Sequence, residues 1–105
     1  MLVSVPGIIE IGPFSWKIFF DSTLREEENV HGQTNLRKMT IALFPGIQSP
    51  EIKENTLWHE IVHAINYSYL NENLTESEVN LVGNGFHQVM KSLGIQLDFK
   101  DLPSP

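Results

Sequence analysis

Thr56-Leu57-Trp58-His59-Glu60-Ile61-Val62-His63-Ala64-Ile65-Asn66-Tyr67 is the stretch on which the reading of this chain turns. It holds His-Glu-x-x-His inside an apolar frame. On an α-helix, positions i and i+4 share a face and lie about 6 Å apart along the axis. The imidazoles of His59 and His63 can therefore reach one ion at about 2.0–2.1 Å. Glu60 leans toward the same edge and reaches a water on that ion without being a ligand, which is the place of a general base. This spacing also occurs by chance on solvated helices. Here the flanks are Leu57, Trp58, Ile61, Val62, Ala64 and Ile65, and in so apolar a helix charged groups are rarely buried unless paired or metal-bound. The stretch predicts a mostly buried helix carrying a hydrolytic metal centre.

Ser49-Pro50-Glu51 supplies the start of that helix: a serine cap, a proline at the first helical position and an acid in the first turn. The helix is expected from about Pro50 to about Leu70. After the polar Asn71-Glu72-Asn73, Thr75-Glu76-Ser77-Glu78 matches a capping box and opens a second helix. Val79, Val82, Phe86, Val89, Met90 and Leu93 recur along it at helical spacing, read as core, and Gly94 ends it.

Upstream, Trp16–Phe20 and Met39–Leu43 read as strands, and Val30–Asn35 as a further strand or hairpin arm. Phe44-Pro45-Gly46 closes this region. Asp21–Asn29, with Glu26, Glu27 and Glu28, reads as a solvated loop. Ile8, Ile9 and Ile11 suggest a short strand or a covering arm. Ile95, Leu97 and Phe99 suggest a final strand or docked tail, and Leu102–Pro105 a frayed end. The expected fold class is α+β: a small antiparallel or mixed sheet of about three strands packed on two main helices, in one domain over residues 1–105.

Composition narrows the chemistry. The chain has 105 residues, 41% hydrophobic and 19% charged, enough for one core without staples. With no cysteine, thiolate metal sites and disulfides are excluded, leaving His, Asp and Glu as ligands; a cytoplasmic location is expected. A net charge of −6 argues against nucleic acid as a partner. The longest apolar run is far short of a membrane span, and Met1–Val5 lacks the basic start of a secretory signal.

Catalytic zinc usually has three protein ligands and one open position, so His59 and His63 need a third. The metzincin pattern, a histidine six residues further on with a glycine between, is absent: Asn66 and Tyr69 stand there. Glu72, Glu76 and Glu78 are the acids available downstream. If Thr75 caps the second helix, Glu78 reaches back to the cap, which favours Glu76 and keeps Glu78 as the alternative. His59-Glu60-x-x-His63 followed by a glutamate on a downstream helix resembles the gluzincin metallopeptidases. More closely, Thr56–Ile65, with Val79, Asn80, Val82 and Gly83 in register after Glu76, is similar to the minimal single-domain minigluzincins and the small peptidases linked to phages and mobile elements. The resemblance covers roughly residues 37–93 and implies a zincin-like fold. It further implies Zn2+ held by His59, His63 and Glu76, with Glu60 as general base. Asn80 falls where thermolysin-like enzymes carry an aspartate that orients a zinc-bound histidine; here it is an amide.

The function these expectations describe is a zinc-dependent endopeptidase acting on a peptide or protein substrate. The substrate would lie extended along an exposed sheet edge such as Thr40–Leu43. The competing expectations are a catalytically latent or non-enzymatic zinc-binding domain, and, by family analogy alone, a phage regulatory accessory acting on a repressor. A closed ligand set argues for a structural ion and an open one for catalysis. His87 lies about 16 Å along the helix from Glu76 and cannot share its ion, so it reads as a partly exposed helix residue. His31 reads as a surface histidine, the alternative being a residue that approaches the site and donates to a developing oxyanion, and Tyr67 as a packing residue.

Overall fold

A computed structural model describes residues 1–24 and 31–104. The loop expected over Asp21–Asn29 falls largely outside the described residues. Eight elements follow in order: β1 (Leu2–Ser4), β2 (Ile8–Ile11), β3 (Phe14–Phe20), β4 (Gly32–Asn35), β5 (Thr40–Leu43), α1 (Pro50–Tyr69), α2 (Glu76–Ser92) and β6 (Gln96–Asp98). The class is α+β, with two helices packed on strands.

The main sheet has the order β2-β3-β5-β4. β2 and β3 pair antiparallel, as do β4 and β5, but β3 and β5 run parallel, Ile18 opposite Ile41 and Phe20 opposite Leu43. Of the two expected arrangements, antiparallel or mixed, the sheet is the mixed one, with four strands where about three were expected. Chain order explains the difference: β4 lies beyond β5, so β5 returns between β4 and β3 in the direction of β3. It also moves the exposed edge. Ile41, Ala42 and Leu43 are buried in an inner strand, and the outermost strand on that side is β4. A second, two-stranded sheet pairs β1 with β6 in parallel, so the expected final strand forms against the start of the chain.

One face of the main sheet carries Trp16, Ile18, Ile41 and Leu43, which are essentially inaccessible to water. They meet Leu57, Ile61 and Ala64, the apolar stripe of α1. Tyr67 extends this cluster, with its ring 5.9 Å from Phe14 and edge-on to Trp16 at 6.2 Å. Leu102 also joins the core, and the Pro103 carbonyl accepts from Phe20 N–H at 2.9 Å. Leu102 and Pro103 are thus docked rather than frayed, since a buried leucine is worth about 1.5–3 kcal/mol relative to an exposed one, and Pro105 lies outside the described residues.

α1 begins as its cap residues dictate, with Ser49 Oγ accepting from Ile52 N–H. Its end is organised by Asn66. The Asn66 carbonyl accepts from Leu70 and Glu72 N–H, while its buried amide group clasps the backbone of Leu74 on both sides, at 3.1 and 3.3 Å. This turn carries Asn71 and Glu72 in the left-handed region, with φ of 55° and 58°. Thr75 and Glu78 then form the capping box of α2 in both directions.

α2 departs from expectation in its packing. Of its apolar stripe only Val79 is buried, whereas Val82, Phe86, Val89 and Leu93 are 40%, 39%, 52% and 66% exposed. The stripe is not a core face because, among the described residues, α2 packs chiefly on α1 and leaves its outer side to solvent. Phe86 nevertheless stacks on Trp58 of α1 at 5.9 Å. No helix among the described residues is long and apolar enough to cross a membrane.

Candidate metal centre

His59 and His63 project from the same face of α1, one turn apart, with ring centroids 4.9 Å from each other. α2 crosses α1 at Gly83. A Cβ there would lie 3.1 Å from His59 Cα and 3.2 Å from His59 N, so any side chain at this position would press on the α1 backbone. Asn66 sets where α2 begins, and Gly83 sets how near it runs. Together they bring Glu76, in the first turn of α2, over the two imidazoles.

Glu76 Oε1 lies 3.0 Å from His59 Nε2, and Oε2 lies 3.1 Å from His63 Nε2. One ligand atom from each of the three residues falls within 4.8 Å of the others. Four-coordinate zinc with bonds of 2.0–2.1 Å needs donors about 3.3 Å apart, so this group fits a divalent ion and could hold one. The donors, two imidazole nitrogens and a carboxylate, are also of the type that transition metals accept. Glu78 is engaged in the capping box, its Oε1 accepting from Thr75 N–H at 2.9 Å. Among the described residues, His59, His63 and Glu76 form the metal-competent cluster.

Glu60 sits beside them, only 6% exposed. Thr34 of β4 donates its hydroxyl to Glu60 Oε1 at 2.7 Å and contacts the Glu60 carbonyl at 3.1 Å. Gly32, two residues earlier on the same strand, packs against the other side of the carboxylate. A Cβ at Gly32 would stand 3.0 Å from Glu60 Cγ, 3.1 Å from Oε2 and 2.8 Å from Thr56 Cγ2. Burial pushes the Glu60 carboxyl above its ordinary range, opposed by the Thr34 hydrogen bond and the two nearby imidazoles. A carboxyl so placed is suited to taking up a proton.

These groups line an open cleft of about 740 Å³ between β4 and the two helices. His31, Gln33, Leu36, Asn55, Glu72 and Asn80 line it as well. His31 is therefore a cleft residue and not merely a surface one, and Asn80 faces the same space as the histidines. Tyr67 packs in the core instead. His87 is nearly buried, its Nε2 3.3 Å from Glu54 Oε1; Glu54 also accepts from Leu97 N–H at 2.9 Å, so this pair joins both helices to β6. Sequence reasoning missed Thr34, Gly32 and Asn66. A threonine and a glycine in a short polar strand carry no motif, and nothing local marks an asparagine as the organiser of a turn.

No family model, curated protein or solved structure matches this chain.

Proposed function

We propose that the chain is a zinc-dependent endopeptidase of the gluzincin type, cleaving peptide bonds with Glu60 as general base. The reading is carried by one observation: the metal-competent trio His59, His63 and Glu76 stands beside a buried, proton-accepting carboxylate in an open cleft. His59, His63 and Glu76 would hold the zinc. When bound, zinc supplies Lewis acidity toward a carbonyl oxygen and lowers the pKa of water at its open position to about 7.

The chain's own residues do the rest. Glu60 takes a proton from the attacking water and returns it to the departing amine, so it ends the cycle as it began. Its burial raises its proton affinity and keeps it apart from bulk solvent. The substrate adds as an extended strand along β4, an edge strand of the main sheet among the described residues, with backbone hydrogen bonds supplying affinity and little demand on side-chain identity. β4 takes this role in place of Thr40–Leu43, which is an inner strand.

The test is Glu60→Gln. The variant is expected to bind zinc with the stoichiometry of the parent and to lose about 10²–10⁴ in turnover of a peptide library. Hydrolysis at the parent rate would refute the general-base assignment. Zinc stoichiometry of the parent retained in Glu76→Gln would refute the ligand set.

A further inference from the structure

We infer that Thr34 is a positioning residue that ties the placement of Glu60 to the strand on which a peptide docks. The inference rests on the peptidase reading above and goes beyond it by naming what aims the base.

Two observations meet at this strand. The first is the side-chain geometry: Thr34 Oγ1 donates to Glu60 Oε1 at 2.7 Å, and a Cβ at Gly32 would stand 3.1 Å from Oε2. One carboxylate oxygen is thus tied to Thr34, and the other lies where any side chain at Gly32 would press on it. The second is the direction of the backbone. Phe44 N–H donates to the His31 carbonyl at 2.8 Å, and Gly32 pairs with Leu43, Gln33 with Ala42, Thr34 with Ile41 and Asn35 with Thr40. In an antiparallel ladder, hydrogen-bonded and non-hydrogen-bonded pairs alternate. Since His31 and Phe44 form a bonded pair, Gln33 and Asn35 also turn their backbone groups toward β5. Gly32 and Thr34 turn theirs to the open edge.

Among the described residues, the two on this strand that lie against Glu60 are therefore the ones whose N–H and C=O groups point away from β5, toward the edge where an added strand would pair. A peptide that pairs with Thr34 is registered against the same residue that aims the base. Substrate position along the edge and carboxylate position in the cleft share one anchor, which limits errors of the order of 1 Å that proximity catalysis does not tolerate.

The experiment compares Thr34→Val, Thr34→Ser and Gly32→Ala with the parent, all zinc-loaded. It measures kcat and KM on one cleaved peptide, and zinc affinity by competition with a chelator. Thr34→Val keeps the shape and removes the donor. It is expected to lower kcat about tenfold or more, part of the 10²–10⁴ that a general base contributes, with KM and zinc affinity within about twofold of the parent. Thr34→Ser restores the donor and should recover most of kcat. Gly32→Ala presses on the other oxygen and should reproduce the kcat loss, which keeps the test decisive if Thr34→Val does not fold. In a Glu60→Gln background, Thr34→Val should add no further loss. Unchanged kcat in Thr34→Val, or a loss that follows zinc affinity, overturns the positioning role while the peptidase reading stands. A zinc-loaded parent that cleaves no peptide overturns the peptidase reading, and this inference falls with it.

Discussion

Glu60 is the residue at which stability and chemistry oppose each other. A carboxylate 6% exposed is costly to ionise, and desolvation holds its proton affinity above that of the unfolded chain. In the metal-free protein the folded state therefore binds this proton more tightly than the unfolded state does. That contribution is fully present below the unfolded value and is lost as the pH rises through the folded one. Metal-free Glu60→Gln, which carries no charge to bury, should accordingly melt higher than the parent at neutral pH. The difference should shrink as the pH falls below the ordinary carboxyl range, and thermal melts between pH 4 and 8 in chelator would check it. A variant melting at or below the parent temperature at pH 7 would show that the buried charge carries no penalty. His59, Glu60 and His63 were legible because their relation is local, one turn of one helix. Thr34 was not, because its hydroxyl meets Glu60 only through packing 26 residues away.

The two helices show how far an element can be read from its own residues. Ser49, Pro50, Thr75 and Glu78 announced both starts, and each cap forms as written, since capping joins residues three apart. The outer face of α2 was misread because periodicity reports amphipathicity and not what covers it. The helices approach most tightly at Gly83, where an added Cβ would meet the His59 backbone, and α2 contains a control. Gly85 has open space around it, with nothing within 4 Å of an added Cβ. Gly85→Ala should leave zinc affinity unchanged and stabilise the helix by about 0.5–1 kcal/mol, the usual cost of a mid-helix glycine. Gly83→Ala presses on the His59 backbone, pushes α2 outward and draws Glu76 off the imidazoles. Its zinc affinity should fall about tenfold, measured by chelator competition. Equal affinities in the two variants would mean that the crossing does not set the ligand geometry.

For the whole molecule, an ion held by the His59, His63 and Glu76 group would act as a clasp between separate elements. His59 and His63 belong to α1 and Glu76 to α2, joined by the Asn66 turn. An ion bound only by the folded state stabilises it by mass action, about 2.7 kcal/mol at a hundred times the dissociation constant. For a domain of this size each kcal/mol raises Tm by about 4–8 °C. Zinc should therefore raise Tm by roughly ten degrees or more, and excess chelator should reverse the rise. A melting curve indifferent to zinc would exclude this trio as a metal site. What the sequence by itself determined is what short-range geometry controls: the paired histidines with their glutamate, the two capped helices and the α+β class. The tertiary structure alone decided that β5 lies inside a mixed sheet and β4 at its edge, that α2 runs close enough to bring Glu76 over the two imidazoles, and that Thr34 and Gly32 lie against Glu60. The reason is physical. Helix periodicity and capping are set by residues three or four apart, whereas strand order, helix crossing and the partner of a buried carboxylate are set by how distant segments share one core.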